Sequence, residues 1–413
     1  MQVTSVPTRR RSGVFVAVAL AILVWSAAFV YLAAAVIPVD HYLISYYIAD
    51  YQFGFVRRGL AGELVGGVAG DSFFRNAYLM RWLTTGVYLA GLAALAFTLL
   101  RRVRTPGRIM LALLLPVLPF GVPYAVYSGR PDLLGATALI ALCLALSVVQ
   151  HRRPALICCG VFGVVVAVLA LMHEGMALEF GLGAILAIMV LAKGLARWDR
   201  RWAAALAIAP GLLTALAVAA FANHDVSGRV CAQVPHRMIE TPFASIKAPG
   251  DLVAYLTTDT PVLSDYHDWV CGWYLATYDH SVADGLKEVA AVGVPALIGS
   301  ILLGLAGLSA TLWSVARFSG VPMRPFFAEL KSDILLPAFG LLLIIPLFIT
   351  GVDWTRWLLV VAFDIVVVFV LYAQRRPEID DVPPRRTLLL FPLVVLGFML
   401  IPLGVAPGGG STR

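Results

Sequence analysis

A chain of 413 residues has room for two or three soluble domains, but 60% of its residues are hydrophobic, only 13% are charged, and the mean hydropathy is +0.87. That composition belongs to an integral membrane protein. The formal charge of +7 falls as short basic clusters between apolar runs, which is how cytoplasmic membrane loops look, so nucleic acid is excluded as a partner.

The N-terminal Arg9-Arg10-Arg11, followed by apolar residues from Gly13 to Ile37, resembles a signal peptide, yet the run is too long and has no small-residue cleavage site. It reads as a retained first membrane helix. A polar and aromatic segment follows over 38–80, then apolar runs at 82–100, 109–126, 133–150, 155–172, 175–192 and 202–221. A second polar stretch, 222–288, separates these from runs at 289–315, 333–350, 357–373 and 387–405. Each run is near the length needed to cross a bilayer. The expectation is an all-α polytopic protein: one membrane domain over 1–413 with about eleven transmembrane helices, a first outer loop at 38–80 and a long outer loop at 222–288.

Charge asymmetry supports that count. With the N-terminus cytoplasmic, 20 of the 31 Lys and Arg fall on cytoplasmic segments, and the 222–288 loop holds nine acidic residues against four basic ones. A missed or invented span would invert every later loop and erase this bias. The expected location is the inner (cytoplasmic) membrane, with the active face extracytoplasmic.

The first outer loop contains Tyr-Gln-Phe-Gly-Phe-Val-Arg-Arg-Gly-Leu-Ala-Gly at 51–62. A guanidinium is a planar, permanently charged fork that suits phosphate and carboxylate oxygens, so Arg57 and Arg58 mark a candidate anion site. Gly54, Gly59 and Gly62 allow close backbone approach, while Tyr51, Phe53 and Phe55 suit the membrane interface. Two readings follow: a site for an anionic, lipid-borne substrate, or two arginines seated among headgroups.

Other ionisable groups gather on the same side. Asp40, His41, Asp50 and Glu63 lie in the first outer loop; Arg130 and Asp132 stand in Ser-Gly-Arg-Pro-Asp; His173 and Glu174 end the fifth span; Glu179 begins the sixth; Asp353 and Arg356 stand in Gly-Val-Asp-Trp-Thr-Arg-Trp. Such groups cost free energy in lipid and therefore face a cavity or one another. Blander roles exist for each. Arg130 and Asp132 can pair within their turn, Asp353 and Arg356 can pair at i,i+3, and Asp40, next to Pro38, can simply end the first helix. Asp50 shares a face with Arg57 if the intervening segment is helical. Asp364, inside the tenth run, fits a helix–helix hydrogen bond.

Cys143, Cys158 and Cys159 lie in apolar runs, whereas Cys231 and Cys271 share the long outer loop, where a disulfide between them suits an oxidising compartment. Two unpaired thiols are the alternative. His224, His236, His267 and His280 share the loop without HxH or HExxH spacing, so no zinc site is expected. The loop aromatics Tyr255, Tyr266, Trp269, Trp273, Tyr274 and Tyr278 suit either a cover that stacks on sugar rings or a packing cap.

Carboxylates that take a proton from a hydroxyl, together with arginines that neutralise a phosphate leaving group, meet the needs of glycosyl transfer from a lipid-linked sugar. A Mg²⁺ or Mn²⁺ ion is a possible cofactor, though four arginines can supply the same charge. The architecture resembles the GT-C superfamily of polyprenyl-phosphate-sugar glycosyltransferases. The Gly-Phe-Val-Arg-Arg-Gly-Leu and Asp-Trp-Thr-Arg-Trp stretches are also similar to those of membrane proteins from bacterial surface-polysaccharide clusters, Wzy-like polymerases among them.

The resemblance implies a polyprenyl-linked sugar donor, a glycan acceptor and a membrane-lipid setting. On that likeness Asp50 or Asp40 would be the first-loop base, with Arg57, Arg58 and Arg356 on the phosphates; the gathering of charged groups on the same side adds Glu174 as a catalytic carboxylate and Arg130 as a phosphate ligand. His173, Asp132 and Asp353 would support them. The chain departs from the GT-C pattern in lacking a large soluble C-terminal domain and a clear Asp-Asp or Glu-x-Asp pair in that loop, which favours a metal-independent polymerase or ligase. The rival expectations are a transporter or flippase of a lipid-linked or anionic substrate, and a non-catalytic subunit of an envelope-assembly complex. The sequence contains no internal repeat of the kind that marks many secondary transporters.

Overall fold

A computed structural model describes residues 8–38, 40–69, 72–101, 103–128, 130–240 and 263–405. The apolar runs become helices. The first half contains α1 (Thr8–Tyr31, prolonged by a π turn over Leu32–Val36), α2 (Asp40–Ile44), α3 (Gly59–Val65), α4 (Phe73–Leu100), α5 (Pro106–Leu114), α6 (Val122–Tyr127), α7 (Asp132–Val148), α8 (Arg152–Ala170), α9 (Met176–Val190) and α10 (Arg197–Phe221). The long loop holds α11 (Ser227–Cys231), an antiparallel pair β1 (Met238–Glu240) and β2 (Leu263–Asp265) with Ile239 opposite Ser264, α12 (Tyr266–Trp269) and α13 (Val282–Val292). The chain continues through α14 (Val294–Ser319), α15 (Met323–Leu330), α16 (Leu335–Thr350), α17 (Trp354–Ala373) and α18 (Arg385–Leu400).

Among the described residues, six helices are long and apolar enough to cross a membrane: Gly13–Val36, α4, α8, α10, α14 and α17. A seventh span arises if Met323–Asp333 and α16, bent by 97° at their junction, count as one broken crossing. The protein is therefore a helical, multi-pass membrane protein. Several expected spans take a different form. The 109–126 run breaks into α5 and α6, because Pro116, Pro119 and Gly121 interrupt the hydrogen-bond ladder between them. The 289–315 run breaks at Gly293, whose φ of +87° a helix cannot contain, and restarts with Pro295 in the first turn of α14. Conversely, α4 begins at Phe73, inside the expected outer loop, and carries Arg81 fully buried with its guanidinium 3.8 Å over Trp82.

Burial ranks the helices. Inside α17, 89% of the apolar window is covered by protein, against 11% for the first helix, so α17 is the axis of the bundle and α1 faces lipid. Around α17 pack α9, α14 and α7; α9 in turn packs against α7, α10 and α16. α8 runs along α10, where Gly163 brings the chains so close that a Cβ would lie 2.0 Å from the Leu206 carbonyl oxygen.

Ion pairs between the membrane helices gather at the two ends of the bundle. At one end Arg108 pairs with Asp380 at 2.7 Å, Arg201 with Asp333 at 2.7 Å and Arg152 with Asp199 at 2.8 Å. There Arg375 also donates to the carbonyls of Leu191, Leu146 and Ser147, closing the ends of α9 and α7. The opposite end, where α7, α9 and α17 begin, carries the candidate site.

Candidate substrate site at the arginine end

The double-arginine stretch folds as a short cap over the bundle. Asp50 opens a 3₁₀ turn over Tyr51–Phe53 by accepting from the Gln52 N–H, Gly54 reverses the chain at φ +95°, and α3 starts at Gly59. Gly62 lies against the backbone of Ala49, so close that a Cβ there would lie 2.1 Å from its carbonyl oxygen. Arg58 itself sits at φ +60°, the sole non-glycine residue with positive φ among the described residues. This conformation costs an ordinary side chain about 1–2 kcal/mol, so the contacts of Arg58 must hold it there.

Those contacts centre on Glu174, in the turn between α8 and α9. Arg57 pairs with its Oε1, while Arg58 donates from Nε to Oε2 and from Nη2 to Oε1, both at 3.0 Å. Arg58 Nη1 donates to the Tyr274 hydroxyl at 3.0 Å, and Arg57 Nη1 donates to the Thr277 carbonyl at 2.9 Å. Two elements of the long loop are thereby tied to the first loop. Burial works to raise the Glu174 carboxyl, but Arg57 and Arg58 overcome it and hold the group well below the usual carboxylate range. Beside it, burial and then Arg58 push the His173 imidazole down to about 3.

A second cluster lies next to the first. Crossed pairings join the two turns: Arg130 donates to Asp353 at 2.9 Å, and Arg356 donates to Asp132 at 2.7 Å. Arg356 also reaches Glu179 at 3.4 Å and Asp353, one turn away, at 3.5 Å. The crossing fastens the start of α17 to the starts of α7 and α9. Tyr46 joins the two clusters, its ring 5.5 Å from the Arg58 guanidinium and 5.6 Å from that of Arg130.

Only the first cluster reaches the large cleft, of about 1060 Å³, that opens between the cap, α10 and α13. Its polar end is formed by Arg57, Arg58, Glu174 and Tyr274, with Trp269 and Trp273 beside them. One wall is the small-residue face of α10 (Ala215, Val218, Ala219), and the other is the α13 face bearing Val282, Gly285, Ala291 and Val292. His224, His280 and Glu288 also line it, and His280 Nδ1 lies 3.0 Å from Glu288 Oε1.

Not all of the expected site residues reach the cleft. Asp50 is absent from the cleft lining; its carboxylate caps the 3₁₀ turn and faces Gly67, because that turn, rather than a helix, separates it from Arg57. Arg130, Arg356 and their partners Asp132 and Asp353 do not line the cleft; Arg356 is held by buried Asp132 and Glu179, and Arg130 by half-buried Asp353. Glu174 faces the cleft but is held by two guanidiniums. Asp40 opens α2, with its side chain outside the described residues, as is Tyr255. Tyr46, Thr277 and the His280–Glu288 pair carry no motif that marks them in the sequence; their roles arise from folding the long loop back over the first.

Cys231 and Cys271 are joined, with Cα atoms 5.4 Å apart. His267 lies beside them, and it groups both with the two cysteines and with His236 and Asp268, the ligand atoms within 4.8 Å of one another. In the disulfide the sulfurs are not the thiolates that a soft metal requires.

The profile of a family described as uncharacterised membrane protein Rv1490 matches residues 15–399. The chain belongs to that family. It is 42% identical over 398 residues to uncharacterized protein Rv1490 of Mycobacterium tuberculosis and to uncharacterized protein Mb1527 of Mycobacterium bovis, covering 96% of this chain and 92% of each relative. The match therefore takes in both the first loop and the long loop that build the cleft. No solved structure matches the chain.

Proposed function

We propose that this member of the Rv1490 family is a membrane glycosyltransferase or glycan polymerase that takes a sugar from a polyprenyl-(di)phosphate donor at the extracytoplasmic face. The cleft carries this reading. Two guanidiniums in its lining suit phosphate oxygens, two indoles suit a sugar ring, and walls of alanine, valine and glycine suit an isoprenoid chain. On this reading the N-terminus is cytoplasmic, the eleven apolar runs are eleven crossings, and the arginine end faces outward, in keeping with the bias of Lys and Arg toward the opposite loops.

The test is reconstitution in vesicles with a panel of polyprenyl-phosphate- and polyprenyl-diphosphate-linked sugars, with products followed by mass spectrometry. Arg57→Ala and Arg58→Ala should lose donor binding, while Asp50→Asn, if folded, should retain transfer. Reporter fusions in the 222–288 loop should report an external location; a cytoplasmic location would remove the orientation.

One observation favours a carrier instead. Asp364, midway along α17 and fully buried, accepts from the Gly183 N–H at 3.0 Å, while its Oδ1 has no hydrogen-bond partner among the described residues. An ionisable group at that depth suits coupling to proton movement. Movement of a labelled polyprenyl phosphate between leaflets without sugar transfer, abolished by Asp364→Asn, would select this reading.

A further inference from the structure

We propose that His280 is the general base of the transfer reaction and that Glu288 positions it. The inference rests on reading the cleft as a glycosyl-transfer site, and it begins with which lining groups are free to take a proton. Glu174 is committed to Arg57 and Arg58, and the carboxylates of the second cluster lie off the lining. Asp50 caps a turn elsewhere. Glu288 is the other lining carboxylate, and it holds His280.

The pair has the construction of an oriented imidazole. A carboxylate 3.0 Å from Nδ1 fixes the N–H there, which leaves the lone pair on Nε2. Both partners keep access to the cleft, with the His280 side chain 34% and the Glu288 side chain 50% exposed. Their backbone support is specific. Ser281 caps α13 in a reciprocal box with Asp284, which fixes where Glu288 stands relative to His280.

The position relative to the phosphate site follows from one carbonyl. Thr277 C=O accepts from Arg57 Nη1 at 2.9 Å and from the His280 backbone N–H at 3.3 Å. The Arg57 guanidinium and the His280 backbone therefore meet at a single peptide group, and both side chains line the same cleft. An acceptor sugar lying over α13 would meet His280 while the donor phosphate rests on Arg57 and Arg58.

In the step itself the acceptor oxygen bonds to C1 of the donor sugar as its proton passes to His280 Nε2. The bond from C1 to the phosphate oxygen breaks, and its electron pair leaves on that oxygen, beside the two guanidiniums. Glu288 offsets the charge of the imidazolium until water removes the proton.

The experiment uses the full chain in vesicles with the same donor panel, and binding of polyprenyl phosphate alone is measured in parallel. His280→Gln should bind polyprenyl phosphate as wild type does and lose turnover by about 10²–10⁴-fold. Free imidazole should restore part of the turnover of His280→Ala, which a purely structural role would not permit. Glu288→Gln should lower kcat about tenfold with KM unchanged, and Glu288→Asp should recover part of the loss. Turnover by His280→Gln within about twofold of wild type, or failure of imidazole to rescue folded His280→Ala that still binds, would overturn the assignment of the base and leave the glycosyl-transfer reading intact. Wild type that binds polyprenyl phosphate but transfers from no donor would overturn both.

Discussion

Glu174 is the residue on which the arginine end depends. It receives three charge-assisted hydrogen bonds from two arginines, one of them strained, and its side chain is 26% exposed to the cleft. Glu174→Gln leaves two guanidiniums without a counter-charge in a largely covered site. Allowing for that exposure, the expected loss is about 1–3 kcal/mol, read as a lower unfolding temperature in detergent. An added polyprenyl phosphate should recover more stability in the variant than in wild type, because it replaces the missing negative charge.

His173 makes a second prediction at this scale, with a definite sign. Its imidazole stays neutral in the folded protein down to about 3, whereas in the unfolded chain it protonates near 6.5. Between those values the unfolded state binds the extra proton, so stability is complete above about pH 6.5 and declines as pH falls toward 3. At pH 5 the loss from this one group is about 2 kcal/mol. Thermal scans of wild type and His173→Gln across pH 7 to 5 should converge if the variant removes this dependence, and parallel curves would show that His173 is not its source.

At the scale of elements, α10 has two contacts, packing against α8 and lining the cleft with Ala215, Val218 and Ala219. Gly163 on α8 touches the backbone of Leu206, which cannot yield. Gly163→Val should force the helices apart, at a cost of about 1–3 kcal/mol, read as a lower unfolding temperature in detergent. Gly160, three residues earlier on the same helix, has nothing within 4 Å of a built Cβ. Gly160→Val is the matched control and should leave the unfolding temperature unchanged.

The same scale explains why helix content was legible while helix continuity was not. An apolar run specifies burial or lipid contact, and nearly every run did become helical. Breaks at Pro116–Gly121 and at Gly293, and the 97° bend before Leu335, depend on neighbours that can satisfy the freed backbone groups.

Over the whole molecule, the disulfide decides whether the long loop keeps its place. It joins residues 40 apart in sequence and fastens α11 to the segment that supplies Tyr274, Thr277 and His280. Closing such a loop contributes about 3–4 kcal/mol through the entropy of the unfolded chain. Reduction should lower the unfolding temperature and expose the 266–280 segment to limited proteolysis. The Cys231→Ser/Cys271→Ser variant should behave like the reduced protein and be insensitive to reductant.

Composition and the spacing of apolar runs by themselves determined that this is a helical membrane protein, because the cost of placing charge and unpaired backbone in lipid acts on every residue regardless of its neighbours. The same cost singled out Arg57, Arg58, Arg130, Glu174 and Arg356 as groups that need partners. Only the tertiary structure decided who those partners are. It crossed Arg130 with Asp353 and Arg356 with Asp132, gave Glu174 to both arginines of the first loop, turned Asp50 away into a cap, and set His280 against Glu288 in the cleft. The physical reason is that a charge needs a counter-charge but carries no address for it; pairing is chosen by which helix ends and loops packing brings within about 3 Å.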